Sequence, residues 1–323
     1  MTSSLFDALH RFNEEHLSFP AFAAAHDEAE RLLALYRQTG LAQHLVVQGE
    51  SGTGKTTLCQ ALLQTYPRYS LPERNVIPVL YIPIPPAATI AGVTEAMLAK
   101  LGDPSPSAGT ISVKTARAIK LAKACGVELL LFDEAQHIQD RGQLPTQYMV
   151  GDWLKTIMDE VNVPTVLLGL PRLESLLRVN EQLRRRFTRR LNMALGQDTN
   201  CHIETECLQL VASLQPALPV PISYQPLGWV EFGHRLYFAT DSRIAYVKAL
   251  LSGAIHIVAE RDLAEISLME LETAFTHNIW QEGIGALNPF NEKFEFRRLN
   301  RPGEPFERSI PTKEPRRSKP YVA

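Results

Sequence analysis

Residues 49–56 read GESGTGKT, a match to the phosphate-loop pattern G-x-x-x-x-G-K-[ST]. The stretch before it, LVVQ (45–48), is a short apolar strand, and the stretch after it, TLCQALL (57–63), has helical character. A strand leading in and a helix leading out separate this loop from a chance glycine-rich turn. That requirement restricts the chain to an α/β architecture with a buried parallel sheet. In such a loop consecutive backbone N–H groups curl around phosphate oxygens, and the helix N-terminus adds a favourable dipole. The candidate phosphate contacts are Gly49, Glu50, Ser51, Gly52, Thr53, Gly54, Lys55, Thr56 and Thr57. Lys55 supplies a point charge to the outer phosphates, and the Thr56 hydroxyl suits Mg²⁺.

A second motif raises the odds of the first. Residues 127–134, VELLLFDE, form a buried strand that ends in two carboxylates. In open α/β sheets the C-terminal strand edge is where ligands bind. Asp133 is the candidate for the Mg²⁺ shell and Glu134 for orienting or deprotonating an attacking water. Any buried strand can end in an acid, so the pattern gains weight from its position, 78 residues after Lys55 and behind an intervening strand and helices.

Around these motifs the chain reads as alternating elements. Residues 21–36 are amphipathic and helical, with Gly40 ending the segment. Residues 76–82 read as a second buried strand, residues 89–101 as a helix closed by Gly102, and residues 112–124 as another helix. That last helix carries Lys114, Arg117, Lys120 and Lys123 at intervals of three, which suits either a ridge meeting DNA phosphates or a solvated face. Residues 164–170, PTVLLGL, are a further buried strand whose end offers no polar side chain to sense a nucleotide. Five arginines fall within residues 184–190. They suit a phosphate patch, an arginine finger reaching a neighbouring subunit, or a helix end where cations favour the dipole. Residues 191–195 read as a last strand, and residues 204–214, 242–261 and 267–278 as helices. Asp241-Ser242 reads as an N-cap, with Arg243 in the first turn, where a cation does nothing for the helix. Cys201, His202 and Cys207 lack a fourth ligand at metal-site spacing.

From Gly283 onward the character changes. Residues 288–323 hold nine Lys/Arg against five Asp/Glu and little apolar content, the profile of a tail disordered on its own that docks on a partner. Net charge is only −2, so any nucleic-acid site has to be a local patch. No apolar run reaches the length of a membrane span, and the N-terminus has no signal-peptide pattern. Four cysteines without a disulfide framework fit a reducing cytoplasm.

The sequence resembles the AAA+ ATPases and, more narrowly, the TniB/TnsC family of transposition regulators. The resemblance rests on GESGTGKTTL (49–58), LLLFDEAQHI (129–138), VPTVLLGLPRLESLL (163–177), NEQLRRRF (180–187) and DSRIAYVKALLSGAI (241–255). It implies an N-terminal helical segment (1–40), an AAA+ α/β nucleotide-binding core with a parallel sheet (41–197), a small helical lid (198–285) and an extended, partner-binding C-terminal tail (286–323). It implies a slow, regulatory ATPase that uses ATP and Mg²⁺ and assembles on double-stranded DNA as a homo-oligomeric ring or helical filament. Such an oligomer marks target DNA with a target-selection factor and recruits transposase through the tail. Carried over by motif, Thr56 and Asp133 hold Mg²⁺, Glu134 is the water residue, Arg186 is the finger with Arg185 as alternative, and Arg243 is the lid sensor. The DNA contacts implied are Lys114 and Thr115, then Lys100 and Arg117. An ATPase of a secretion or assembly machine, with no DNA contact, is the competing expectation. A switch that binds ATP and hardly hydrolyses it is the third.

Overall fold

The computed structural model describes residues 9, 12, 19–86, 89–140, 144–193 and 202–307 of the 323-residue chain. Helix α1 (Pro20–Thr39) has Pro20 at its first position and Gly40 closing it in a left-handed turn. Strand β1 (His44–Gln48) runs into the phosphate loop, and α2 (Lys55–Thr65) runs out of it. A two-residue ribbon, β2 (Tyr69–Ser70) with β3 (Asn75–Val76), precedes β4 (Val79–Pro83). Helices α3 (Ile90–Lys100) and α4 (Ile111–Ala124) follow, each N-capped by a threonine, Thr89 and Thr110. Next come β5 (Leu129–Asp133), α5 (His137–Asp140), α6 (Leu144–Val161) and β6 (Thr165–Gly169). Short helices α7 (Leu173–Val179) and α8 (Glu181–Arg186) lead to β7 (Arg189–Asn192).

The sheet order is β4-β5-β6-β1-β7, all parallel, so β6 separates the phosphate-loop strand from the acidic strand. Parallel strands need crossovers, and helices therefore cover both faces. The side-chain alternation shows this directly. Leu129 and Leu131 join the core shared with α1, α2 and the C-terminal helices, whereas Leu130 and Phe132 join the core under α3, α4 and α6. On α1 the buried positions Phe22, Ala25, Ala29, Leu32 and Leu33 form one helical stripe against the first of these cores.

The C-terminal region consists of α9 (Ile203–Leu214), α10 (Trp229–Thr240), α11 (Ile244–Arg261) and α12 (Leu268–Asn278). Ser267 and Glu270 form a reciprocal capping box at the start of α12. No single helix among the described residues is long and apolar enough to cross a membrane.

Three sequence expectations need correction. The strand read over residues 76–82 is two pieces, because Pro78 offers only its carbonyl, which accepts from Glu128 N and Leu129 N, and the sheet strand begins at Val79. Asp241 does not N-cap α11; it closes α10 in a left-handed conformation, φ 50°, and Arg243 holds the N-cap position without a side-chain cap. The tail read as disordered on its own is, up to residue 307, a strap packed on α10, α11 and α12. Phe290, Phe294, Leu299 and Phe306 are buried in it. Arg235 of α10 donates to the carbonyls of Pro289 (2.8 Å) and Asn291 (2.7 Å), and its guanidinium lies 5.0 Å from the Phe296 ring centre. Asn288, fully buried, donates to the carbonyls of Glu272 and Gly283, both at 2.9 Å. Phe290 and Phe294 turn in while Glu292, Lys293 and Glu295 stay exposed. Residues 308–323 of the expected tail, and Cys201, lie outside the described residues.

Candidate nucleotide site

The phosphate loop bends through two left-handed glycines, Gly52 (φ 81°) and Gly54 (φ 91°), a conformation that costs other residues steric strain. Gly54 ends the loop and starts α2 at Lys55. Lys55 is buried, and its ammonium donates to the carbonyls of Gly49 (2.7 Å) and Glu50 (2.8 Å). Burial pulls the Lys55 pKa below the ordinary lysine value, and the Glu134 and Asp133 carboxylates oppose the shift.

Across from the loop, Asp133 at the end of β5 is buried. One of its oxygens accepts from the Thr56 hydroxyl (2.8 Å) and from the Tyr81 hydroxyl (3.1 Å), and the other accepts from the Glu134 backbone N–H (2.9 Å). Burial, and then Asp133 itself, raises the Tyr81 pKa, so this phenol stays a donor. Hydroxyl and carboxylate oxygens meeting at one point are the donor set of a hard cation, so Thr56 and Asp133 fit Mg²⁺. Glu134 sits at φ 56°, a left-handed position for a residue with a side chain, which is strain at the place where chemistry is expected.

Glu134 is held by a residue that the sequence reading passed over. The buried Gln136 amide donates to the Glu134 carboxylate, and its carbonyl accepts from Leu170 N at 3.0 Å. The space for it exists because residue 169 is glycine: a Cβ there would stand 2.7 Å from Gln136 Oε1. The strand end that offered no polar side chain thus makes room for one supplied from the acidic motif.

Loop, acidic strand and C-terminal helices enclose a cavity of about 400 Å³. Ser51, Gly52, Gly54, Lys55, Thr56, Thr57 and Glu134 form its polar side. Leu170 just after β6, Phe19 and Phe22 before and on α1, and Ile244, Ala245 and Lys248 of α11 form the rest. Helix α11 touches the loop itself, with Ala245 N donating to Gly52 O at 3.0 Å. None of these six residues was assigned to the site from the sequence, although Leu170, Ile244, Ala245 and Lys248 lie within the quoted stretches 163–177 and 241–255.

The remaining candidates lie apart from one another. Arg243 is buried beside the loop and bonds Asp241 at 3.1–3.2 Å. Arg186 forms a fork on Asp159, with contacts of 2.7, 2.9 and 3.1 Å, and Arg185 pairs with Glu181 on the surface. The register Leu45↔Arg189 to Gln48↔Asn192 puts Arg186 beyond the N-terminal end of β1, whereas the phosphate loop leaves the C-terminal end. Five strand residues span roughly 13 Å, so Arg186 cannot serve its own chain's loop.

Of the four residues implied for DNA contact, Lys114 needs correction. It is buried and its ammonium is bonded to Glu95 at 2.6 Å, because the three-residue row drifts inward as it winds around α4. The Thr115 hydroxyl accepts from the Trp153 indole at 3.1 Å, and Arg117 holds the 103–108 loop through Asp103 and the Ser105 and Ala108 carbonyls. Lys100 lies over the Tyr81 ring. On α4 it is Lys120 and Lys123 that are exposed.

The sheet order and the loop–lid cavity define an AAA+ P-loop fold. The family model described as "Bacterial TniB protein" matches residues 10–193, more than half of the chain, and the chain belongs to that family. No curated protein matches it. Among solved structures it is similar to the Aeropyrum pernix ORC2 protein in ADPNP-ADP complexes, at 15% identity and TM-score 0.56, over 83% of this chain and 71% of that one. It is also similar to Cdc6p from Pyrobaculum aerophilum, at 12% identity and TM-score 0.59, over 82% and 69%. The Aeropyrum pernix ORC1 protein in complex with DNA aligns at 15% identity and TM-score 0.52, over 80% and 65%. At these identities the likeness establishes the fold.

Proposed function

We propose that this TniB-family chain is an ATP-hydrolysing homo-oligomer that binds double-stranded DNA without reading sequence and serves transposition. In this reading it marks target DNA together with a target-selection factor and recruits transposase. The observation that carries the nucleotide part is the convergence of Lys55, Thr56 and Glu134 on one cavity walled by α11, with Asp133 bonded to Thr56 behind it. The loop amides and Lys55 bind the phosphates, with Lys55 exchanging its two loop carbonyls for phosphate oxygens. Mg²⁺, held by Thr56 and Asp133, would neutralise charge on the transferred phosphate. Glu134, aligned by Gln136, orients and deprotonates the attacking water. Phe19 and Phe22 give the base an apolar seat. Arg243 senses the outer phosphate from the lid.

Arg186 acts on the nucleotide of an adjacent copy. Its distance from its own loop supports that reading, as does an ion pair with Asp159 that only half buries it. Repetition of a modest basic patch in an oligomer explains strong DNA binding by a chain of net charge −2. Lys120 and Lys123, both exposed, suit that patch, and Lys100 and Arg117 are the further candidates. Residues after 307 are the proposed attachment for transposase.

The buried Lys114–Glu95 pair also favours a second reading, an ATPase of a protein machine with no DNA contact. Fluorescence anisotropy of a random-sequence duplex, with ATP, ADP or no nucleotide at two salt concentrations, separates them. Binding that requires ATP, ignores sequence and weakens steeply with salt is expected. Equal absence of binding in every condition rejects the DNA reading and leaves the protein machine.

A further inference from the structure

The strap over residues 284–307 brings a second arginine to the carboxylate that holds Arg243. Arg298 donates to both oxygens of Asp241, at 2.5 and 2.8 Å. Arg243 reaches only one of them, Oδ2, at 3.1 and 3.2 Å. The Asp241 side chain is 2% exposed, so its charge requires a partner. Its place is fixed by two consecutive left-handed residues, Asp241 (φ 50°) and Ser242 (φ 59°), in the link between α10 and α11. The same strap adds Phe306, whose ring centre lies 5.7 Å from the Arg243 guanidinium on one side, with Tyr246 at 5.7 Å. Two residues past Arg243, Ala245 N bonds Gly52 of the phosphate loop. A change in how Arg243 is held therefore occurs at the cavity wall.

We propose that Arg298 is a positioning residue for Arg243: by satisfying both oxygens of Asp241, it leaves the Arg243 guanidinium available to a nucleotide's outer phosphate. This makes the strap a working part of the nucleotide lid, and it rests on the nucleotide reading of the cavity. The physical argument is competition for one buried carboxylate. With Arg298 present, Arg243 contributes two long contacts to an anion already neutralised. Without Arg298, Arg243 becomes the sole available guanidinium and closes onto Asp241 as a two-pronged pair, the strongest geometry open to it. It then has to leave an uncompensated buried charge in order to meet a phosphate. ADP, which lacks the outer phosphate, is indifferent to this choice.

Competition binding of ATP and ADP to the full chain and to variants with retained thermal unfolding transitions tests the proposal. Arg298→Ala is expected to lower the preference for ATP over ADP about tenfold, leaving ADP affinity within about twofold. Arg243→Ala is expected to give the same loss, and Arg243→Ala/Arg298→Ala no further loss. Asp241→Asn/Arg298→Ala removes the competitor and is expected to restore the preference. A folded Arg298→Ala protein with wild-type preference overturns the proposal, as do additive losses in the double variant. Should Arg298→Ala not fold, Asp241→Asn alone decides. Retained or raised ATP preference supports the competition, and a fall overturns it. A wild-type chain that binds neither nucleotide rejects the nucleotide reading and this inference together. ATP binding that Arg243→Ala leaves unchanged rejects this inference only.

Discussion

Gln136 occupies the space that Gly169 leaves open and bonds the carboxylate assigned to water activation. Gln136→Ala removes that bond without touching the phosphate loop. It is expected to reduce the ATP turnover rate about tenfold with nucleotide affinity unchanged, read by steady-state hydrolysis beside equilibrium binding. Gly169→Ala should reproduce the effect, because its Cβ would stand 2.7 Å from Gln136 Oε1 and push the side chain away. His44 gives a second test at this scale. Its Nδ1 is buried with no hydrogen-bond partner among the described residues, and burial, aided by the Arg186 charge, lowers its pKa from 6.5 to about 4. Between those values the unfolded chain binds a proton that the folded chain refuses. Stability therefore falls as pH drops from 6.5 towards 4, by at most about 3 kcal/mol. In His44→Phe, chemical denaturation across that range should show a shallower decline, with the carboxylate contribution left in place.

At the scale of elements, the strap shows how a sequence profile misleads. Its charge and proline content read as disorder, yet four buried apolar side chains at about 1.5–3 kcal/mol each rival the whole stability of a domain. A chain ending at residue 285 is therefore expected to lose its cooperative thermal transition and become protease-sensitive across α10–α12, whereas a chain ending at 307 keeps both. What was legible in the sequence was whatever local chemistry determines. The loop's glycines, the acidic end of β5 and the apolar runs of a doubly covered sheet all belong to this class. What stayed hidden depends on contacts distant in sequence. Lys114 lies on a row that reads as either a DNA-facing ridge or a solvated face, but tertiary packing against α3 buries it on Glu95. Arg243 was visible as a misplaced cation, but its partner Arg298 is 55 residues away on a segment with no periodic signal. Gln136 was inside a quoted motif and lacked a role until the empty end of β6 was seen beside it.

At the scale of the molecule, the proposed reading divides the nucleotide site into two halves at opposite ends of the sheet. Lys55, Thr56, Asp133 and Glu134 stand at the C-terminal strand ends, and Arg186 stands past the N-terminal end of β1. The proposed closed assembly of identical copies would bring the two together, with each copy supplying one half to each neighbour. The most direct test mixes Lys55→Ala protein, which keeps its finger, with Arg186→Ala protein, which keeps its loop, and measures ATP hydrolysis with duplex DNA present. Each variant alone should be nearly inactive, and an equal mixture should recover about one quarter of wild-type activity, the share of interfaces that pair an intact loop with an intact finger. Wild-type hydrolysis by Arg186→Ala alone, or a mixture no more active than its parts, would contradict a site completed by a second copy.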